Sequence, residues 1–446
     1  MGFGRRGWSA VAVTLVCGVL AACSAGQPAP PGAAEAAGQS ASARSSAMGT
    51  AEPGAHGPGH GALSGSPDET PGDAALRLEA LLGQHAVLAA DLMRGRIRND
   101  EDFGQAANAA VGRNTEDLAG LVGSLFGEQA AGQFRTLWTD HVTALFNYSR
   151  GLATDDAAVR DDAKAKLATF ETGLADFFSS ASQGRLPQGT ARGAVTTHVD
   201  HLVEQADAYA ARDYARAEEL YRENYSHTFD LGHALATTLL PPDQAASMAD
   251  PSWRLRSELD RLLGEHVALA VAALRAGATN GPDFPATAEA LNGNTGDLSA
   301  AVGTLFGKPA GDQFMSLWAD HIDQLVSYAA GRATSDDTRR DAAKGNLREF
   351  EGRMSGFLDS ATGSKVPAGD LAKAFLAHDD MLTEQVDAFV DKDYRRSHEL
   401  AYDTYQDMFG LAHQLSDAFG ETVAARLPQG GARTGAGGVA GAPGPR

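Results

Sequence analysis

Apolar residues along most of this chain recur every three or four positions, which is the spacing of one face of an α-helix. The clearest example is the stretch 133–148, QFRTLWTDHVTALFNY, where Phe134, Trp138 and His141 share one face. The same pattern returns at 313–328, QFMSLWADHIDQLVSY. The spacing therefore predicts a helix with a histidine in the middle of its apolar stripe, and it predicts this helix twice.

The repetition extends over two long units, residues 73–242 and 252–425, which are joined by a short proline-containing link. In each unit, Gly, Pro, Asn and Asp breaks separate about six helical segments, and the alternating pattern of a β-strand does not occur. Short links force neighbouring helices to run antiparallel. We therefore predict an all-α protein of two tandem up-and-down helical bundles, with about six helices in each.

The two ends of the chain differ in composition from the repeated units. Residues 1–22 combine a basic pair, an apolar run and the ending LAA, which together with Cys23 resembles the lipobox of a bacterial lipoprotein signal peptide. The resemblance implies cleavage before Cys23, lipidation of that cysteine and an exported protein anchored through its lipid to the outer face of the cell membrane. An ordinary secretory signal peptide with an incidental cysteine is the alternative. Residues 23–72 and 426–446 are rich in Ala, Gly, Pro and Ser, which predicts a disordered tether and a disordered tail.

Charge and cysteine content narrow the classes of function. The chain of 446 residues has a formal net charge of -20, and its 37 basic residues form no cluster, which argues against binding of nucleic acid. Both cysteines, Cys17 and Cys23, lie in the N-terminal segment, so the repeated units have no thiolate for a disulfide or a metal site. A metal ion in these units would need nitrogen and oxygen ligands.

Polar residues on the apolar stripes are the candidate chemistry of the chain. When each helix is drawn at about 100° per residue, several helices direct a histidine or a carboxylate toward the core near the middle of their length. Mid-helix residues of an antiparallel bundle share one layer, so we predict a transition-metal site in each unit. The predicted ligands are His85, His141, His198 and His227 in the first unit and His266, His321, His378 and Asp407 in the second.

The second helix of each unit supplies further inward polar groups. Asn114 and Asn294 lie on the apolar stripe, and Asp117 and Asp297 stand at its edge. We expect these side chains to orient a ligating histidine rather than to bind the ion. Neutral imidazoles with an optional carboxylate favour zinc or copper over nickel and iron. The expected role is sequestration or delivery of the metal in the cell envelope.

Other interpretations of the same layer remain open. The histidines can form a buried hydrogen-bond network in a non-enzymatic structural or interaction module, or they can line a pocket for another ligand. An enzyme would need an open coordination position and a substrate cleft, and the sequence indicates neither. The stripes carry no Glu-x-x-His pair, and the sequence has no His-Glu-x-x-His motif and no glycine-rich phosphate loop.

The histidine-bearing segments resemble those of a widespread group of helical-bundle proteins of bacteria and archaea, here in the form of a tandem-repeat lipoprotein. The shared features are the histidine of LLGQHAVLA and LLGEHVALA, the segments NTEDL and NTGDL, and a run of the type Gln-Phe-x-x-Leu-Trp-x-x-His. The similarity covers both units. It implies a helical-bundle fold and no particular ligand or activity.

Overall fold

The computed structural model describes residues 70–426, and every regular element in that range is a helix. The first unit consists of α1 (Pro71–Ile97), α2 (Glu101–Phe126), α3 (Glu128–Ala153), α4 (Ala157–Ala181), α5 (Gln188–Ala210) and α6 (Tyr214–Leu239). A short helix α7 (Pro242–Ala245) and a 3-10 helix (Ala246–Ala249) follow. The second unit consists of α8 (Pro251–Ala278), α9 (Phe284–Phe306), α10 (Lys308–Thr334), α11 (Asp337–Thr362), α12 (Ala368–Val390) and α13 (Tyr394–Arg426). The predicted all-α class with two six-helix bundles is confirmed.

The described residues do not include the predicted signal peptide (1–22), nor most of the predicted tether (23–72) and the predicted tail (426–446). None of the helices between residues 70 and 426 combines the length and the apolar content that a membrane span requires.

The helices begin where side chains can satisfy free backbone N–H groups. The side chains of Asp100, Asp156, Asp213 and Asp336 each accept a hydrogen bond from the backbone three residues later. Between α2 and α3 the chain turns at the single residue Gly127, whose φ of 87° is easily reached only by glycine. These tight links hold consecutive helices antiparallel.

Helix α1 lies at the centre of the first bundle. It contacts α2, α3, α5 and α6, and α8 makes the equivalent contacts with α9, α10, α12 and α13 in the second bundle. In an up-and-down bundle the odd-numbered helices α1, α3 and α5 run in the same direction. Residues at similar distances from the starts of these three helices therefore lie at one level.

The two bundles pack against each other along one continuous apolar core. Helix α1 lies beside α8, α2 beside α13 and α6 beside α9. Tyr225 and Tyr405, which hold the same position in the two units, meet with their hydroxyl oxygens 2.9 Å apart. Gly83 and Gly264 permit this approach, because a Cβ atom at either position would collide with aromatic side chains. The side of α6 that carries Tyr225 therefore packs against the second bundle.

Candidate metal centre

Six of the eight predicted ligands form two buried groups of three. In each group, one nitrogen of every ring lies within 4.8 Å of the nitrogens of the other two. We call His85, His141 and His198 the first triad, and His266, His321 and His378 the second triad. The rings come from α1, α3 and α5 in the first bundle and from α8, α10 and α12 in the second, which are the helices that run parallel to one another.

The ring spacing of both triads is close to that of a three-histidine metal site. The ring centroids of the first triad lie 5.4, 5.6 and 5.7 Å apart. Those of the second triad form an equilateral triangle with sides of 5.8 Å. Three imidazoles bound tetrahedrally to zinc at about 2.0–2.1 Å would place their centroids roughly 5.2 Å apart. To bind such an ion, the centroids of either triad would have to approach by at most about half an ångström, and the ring nitrogens, which now lie within 4.8 Å of one another, would have to turn toward a common point.

Hydrogen bonds hold most of the first triad. Trp138 donates its indole N–H to Nδ1 of His85 at 3.1 Å, and Nε2 of His85 lies 3.2 Å from Nε2 of His141. Because Nδ1 of His85 accepts a hydrogen bond from the indole, the neutral ring carries its proton at Nε2 and donates a hydrogen bond from there to His141. A cation bound at Nε2 of His85 would require this proton to move to Nδ1, where it would disrupt the bond from Trp138.

The third ring of this triad has a metal-binding tautomer. His198 donates Nδ1–H to Oδ1 of Asn224 at 3.0 Å, so its Nε2 atom carries a lone pair. Within the described residues, this Nε2 atom has no hydrogen-bond partner. Asn224 thus holds the ring of His198 with its free nitrogen available to a cation.

The second triad lacks most of these bonds. Trp318 donates to Nδ1 of His266 at 3.3 Å. Considering residues 70–426, Nε2 of His266 and both ring nitrogens of His321 and His378 have no hydrogen-bond partner. Thr404, which stands where the first unit has Asn224, bonds instead to the carbonyl oxygen of Leu400 at 2.6 Å. Buried polar atoms without partners are rare in proteins, so these nitrogens are strong candidates for ligation.

Aromatic side chains enclose both triads. The ring of His141 stacks on Phe170 with centroids 4.2 Å apart, and that of His321 stacks on Phe350 at 4.5 Å. Even the most exposed imidazole of the six, that of His378, is only 4% accessible. Helices α4 and α11, which carry the stacking phenylalanines, therefore act as walls that keep water from the histidines.

Burial keeps all six imidazoles neutral. It lowers the pKa of His198 and of His378 to about 4. For the other four rings, burial and then the neighbouring imidazoles hold the pKa well below its usual value, while the nearby Asn114 amide opposes this at His85. Neutral imidazole is the form that binds metal ions, so no proton needs to leave an imidazolium before ligation.

A carboxylate beside the second triad was missed from the sequence. Asp379 follows His378 on α12, is 2% exposed, and has Oδ1 3.3 Å from Nδ1 of His321. No well-aligned hydrogen bond from the described residues satisfies either of its oxygens. Burial raises the pKa of this carboxyl well above its usual range. The first unit has the buried Val199 at this position, and that contrast between the repeats was the available signal.

Two predicted ligands, His227 and Asp407, lie outside the triads, and their assignment is corrected here. His227 donates Nε2–H to the carbonyl oxygen of Ala194 at 2.9 Å and packs against His201 with ring centroids 5.6 Å apart. Asp407, at the same position of α13, is also only half-buried. Helix α6 packs both on its own bundle and on α9, so its apolar positions span more than one face. The periodicity therefore did not resolve that Asn224, and not His227, points to the first triad.

The two asparagines of the second helices hold those helices to the histidine-bearing ones. Asn114 donates to the carbonyl oxygen of Leu81 at 3.0 Å and to Oε1 of Gln84 at 3.2 Å. Asn294 donates in the same way to Leu262 and to Glu265, each at 2.9 Å. These bonds attach the second helix to the turn that precedes each central histidine, which is a supporting role for the site.

The expected role of Asp117 and Asp297 as partners of the histidines is also corrected. Asp117 accepts a hydrogen bond from the hydroxyl of Tyr402, and Asp297 accepts one from Arg222 at 2.8 Å. Both bonds cross from one bundle to the other. Each of the two aspartates stands at the edge of the apolar stripe of its helix, where it bonds to the other bundle and not to the histidines of its own.

Comparison of the chain with known proteins finds no matching family model, no similar curated protein and no similar solved structure. The function must therefore be inferred from the chemistry of the two triads.

Proposed function

We propose that this protein binds a transition metal ion through the histidine triad of each helical bundle, for sequestration or delivery in the cell envelope. One observation carries most weight: three neutral, buried imidazoles from three parallel helices form a triangle of 5.8 Å sides in the second bundle. A triangle of similar size, built from the equivalent residues, recurs in the first bundle.

A metal ion accounts for the second triad better than a hydrogen-bond network does. A buried polar atom that lacks a partner destabilises a protein by about 1–3 kcal/mol. Within the described part of the chain, most ring nitrogens of this triad lack one. A single cation would satisfy one nitrogen on each ring at once.

The alternative, a buried network in a structural module, has its best support in the first triad. The bond between His85 and His141 and the bond between His198 and Asn224 satisfy several of its nitrogens without an ion. A network would hold the three helices in register and would need no metal.

Zinc and copper are the ions that best suit three imidazoles in a dry site. The enclosure of the rings by Trp138, Phe170 and their counterparts favours retention of an ion over turnover of a substrate. The lipobox resemblance at Cys23 supports an exported protein whose lipid anchors it to the membrane. Conversion of Cys23 to Ser should then release the protein from the membrane fraction, and retention there would contradict lipid anchoring.

The direct test is the metal content of the full chain, purified without an affinity tag, stripped with a chelator and reconstituted with zinc or copper. We expect up to two ions per chain by elemental mass spectrometry. His321→Leu should remove one ion, because it deletes a ring of the second triad. His227→Leu is the matched control, since it removes a histidine outside the triads and should leave the content unchanged. A wild-type content well below one ion per chain would refute metal binding.

A further inference from the structure

We infer that the two triads differ in affinity: the second triad, with Asp379 beside it, binds a divalent cation tightly and fills first, whereas the first triad binds it weakly. This inference rests on the proposed metal-binding function and adds the order of loading to it. Two differences between equivalent positions of the bundles favour this order, and a third, smaller difference opposes it.

The first difference is the bond that an incoming ion must break. In the first triad Nε2 of His85 and Nε2 of His141 lie 3.2 Å apart, and an ion at the Nε2 atom of His85 must break the hydrogen bond between them. In the second triad His266 and His321 make no such bond within the described residues, and their centroids are 5.8 Å apart instead of 5.4 Å. The loss of one net hydrogen bond corresponds to roughly a fivefold loss of affinity at the first triad.

The second difference is the buried carboxylate. Oδ1 of Asp379 lies 3.3 Å from Nδ1 of His321, so Nε2, on the other side of the ring, remains for the ion. The two atoms are close but not aligned for a hydrogen bond, and a small turn of either side chain would let the carboxylate accept Nδ1–H. Such a bond fixes a ligating ring and increases its basicity. In its ionised form Asp379 also places a negative charge next to the cation in a site without water. Val199, at the equivalent position, can do neither.

The third difference acts in the opposite direction and is smaller. Asn224 already holds His198 in the metal-binding tautomer, whereas Thr404 leaves His378 unrestrained. An amide positions a ring but supplies no charge to balance a divalent ion. Removal of a residue that hydrogen-bonds a ligating histidine typically reduces metal affinity about 10–100-fold. Because this residue is the carboxylate of Asp379 in the second bundle and the amide of Asn224 in the first, we expect the larger gain in affinity at the second triad.

The experiment is a titration of the metal-free full chain with Zn²⁺ in competition with a chromophoric chelator. We expect two classes of site, with the first equivalent bound at least about tenfold more tightly than the second. His321→Leu should abolish the tight class, and His141→Leu should abolish the weak class. The reverse assignment, or two classes of equal affinity, would overturn the inference and leave metal binding intact.

Variants of the carboxylate test its role separately. Asp379→Val installs the residue of the first bundle, and Asp379→Asn keeps the shape of the side chain without its charge. Each should weaken the tight class about 10–100-fold. Asp380→Asn, a change at the neighbouring exposed carboxylate, is the control and should change nothing. Unchanged affinity in both Asp379 variants overturns the inference, and the absence of any Zn²⁺ binding by the wild type overturns the proposed function as well.

Discussion

Substitution of leucine for His378 and for His198 should change the stability of the metal-free protein in opposite directions. The two residues hold equivalent positions and are 4% and 3% exposed. Considering the described residues, neither ring nitrogen of His378 has a partner, whereas His198 donates to Asn224 at 3.0 Å. His378→Leu therefore removes an unsatisfied polar ring, and His198→Leu creates an unsatisfied amide.

The expected magnitude follows from these contacts. A buried polar group without a partner costs about 1–3 kcal/mol, and leucine is close enough to histidine in volume that repacking adds only about 1 kcal/mol. After this repacking cost, His378→Leu should raise the free energy of unfolding by up to about 2 kcal/mol. His198→Leu should lower it by about 2–4 kcal/mol, so the two variants should differ by roughly 2–6 kcal/mol.

Guanidinium chloride unfolding of chelator-treated protein at pH 7.5, followed by circular dichroism, measures this difference. Added zinc should reverse the ranking of wild type and His378→Leu, because a ligand at about 1,000 times its Kd stabilises the native state by about 4 kcal/mol. If both leucine variants are destabilised equally without metal, His378 has a structural partner. The reasoning from unsatisfied nitrogens would then be refuted.

Three further predictions concern protonation and packing. Burial lowers the pKa of His198 and of His378 to about 4, so both rings stay neutral in the folded protein while the unfolded chain gains protons below about pH 6.5. The free energy of unfolding of the metal-free protein should therefore fall by about 3 kcal/mol for each ring as the pH is lowered from 6.5 to 4. Denaturant midpoints between pH 7.5 and 4 should show this decline, and a flat profile would contradict it. Ligation of zinc by Nε2 of His85 moves the ring proton to Nδ1 and removes the hydrogen-bond acceptor of Trp138, which should change the tryptophan fluorescence of the protein; an unchanged emission spectrum at saturation would count against ligation by that nitrogen. Gly264→Ala should lower the free energy of unfolding by about 1–3 kcal/mol, because its Cβ atom would meet aromatic rings at the interface between the bundles. Gly296→Ala is the control: among the described residues it has open space around it, so the change should be neutral or slightly stabilising. Equal effects of the two changes on the thermal midpoint would argue against a tight interface.

Much of the fold follows from local patterns in the sequence. The three-and-four spacing around His85, His141 and His198 defines one face of each helix, and that face is buried in the structure. The Asp and Gly residues at the helix ends also act locally, since they bond to backbone groups within a few positions. The repetition of the chain correctly predicted that a group of histidines in one bundle would have a counterpart in the other.

The assignment of individual side chains to the site was less successful where a helix has more than one buried face. On α6, both Asn224 and His227 lie near apolar positions, and only the packing of that helix against both bundles shows that Asn224 faces the triad. Asp379 was overlooked because an aspartate next to His378 looks like an ordinary solvated residue of α12. In the structure it lies beside His321 of α10, a contact between distant parts of the sequence.

The sequence by itself therefore determined the helices, their number and the inward direction of each triad histidine, because these depend on periodicity within about one or two turns. The tertiary structure decided that α1 and α8 are central, which is what brings three parallel helices and their histidines together. It also decided that the bundles share one interface and that the two triads differ in their polar partners. The rotation and height of one helix relative to another depend on all the side chains packed between them, and no local pattern contains that information.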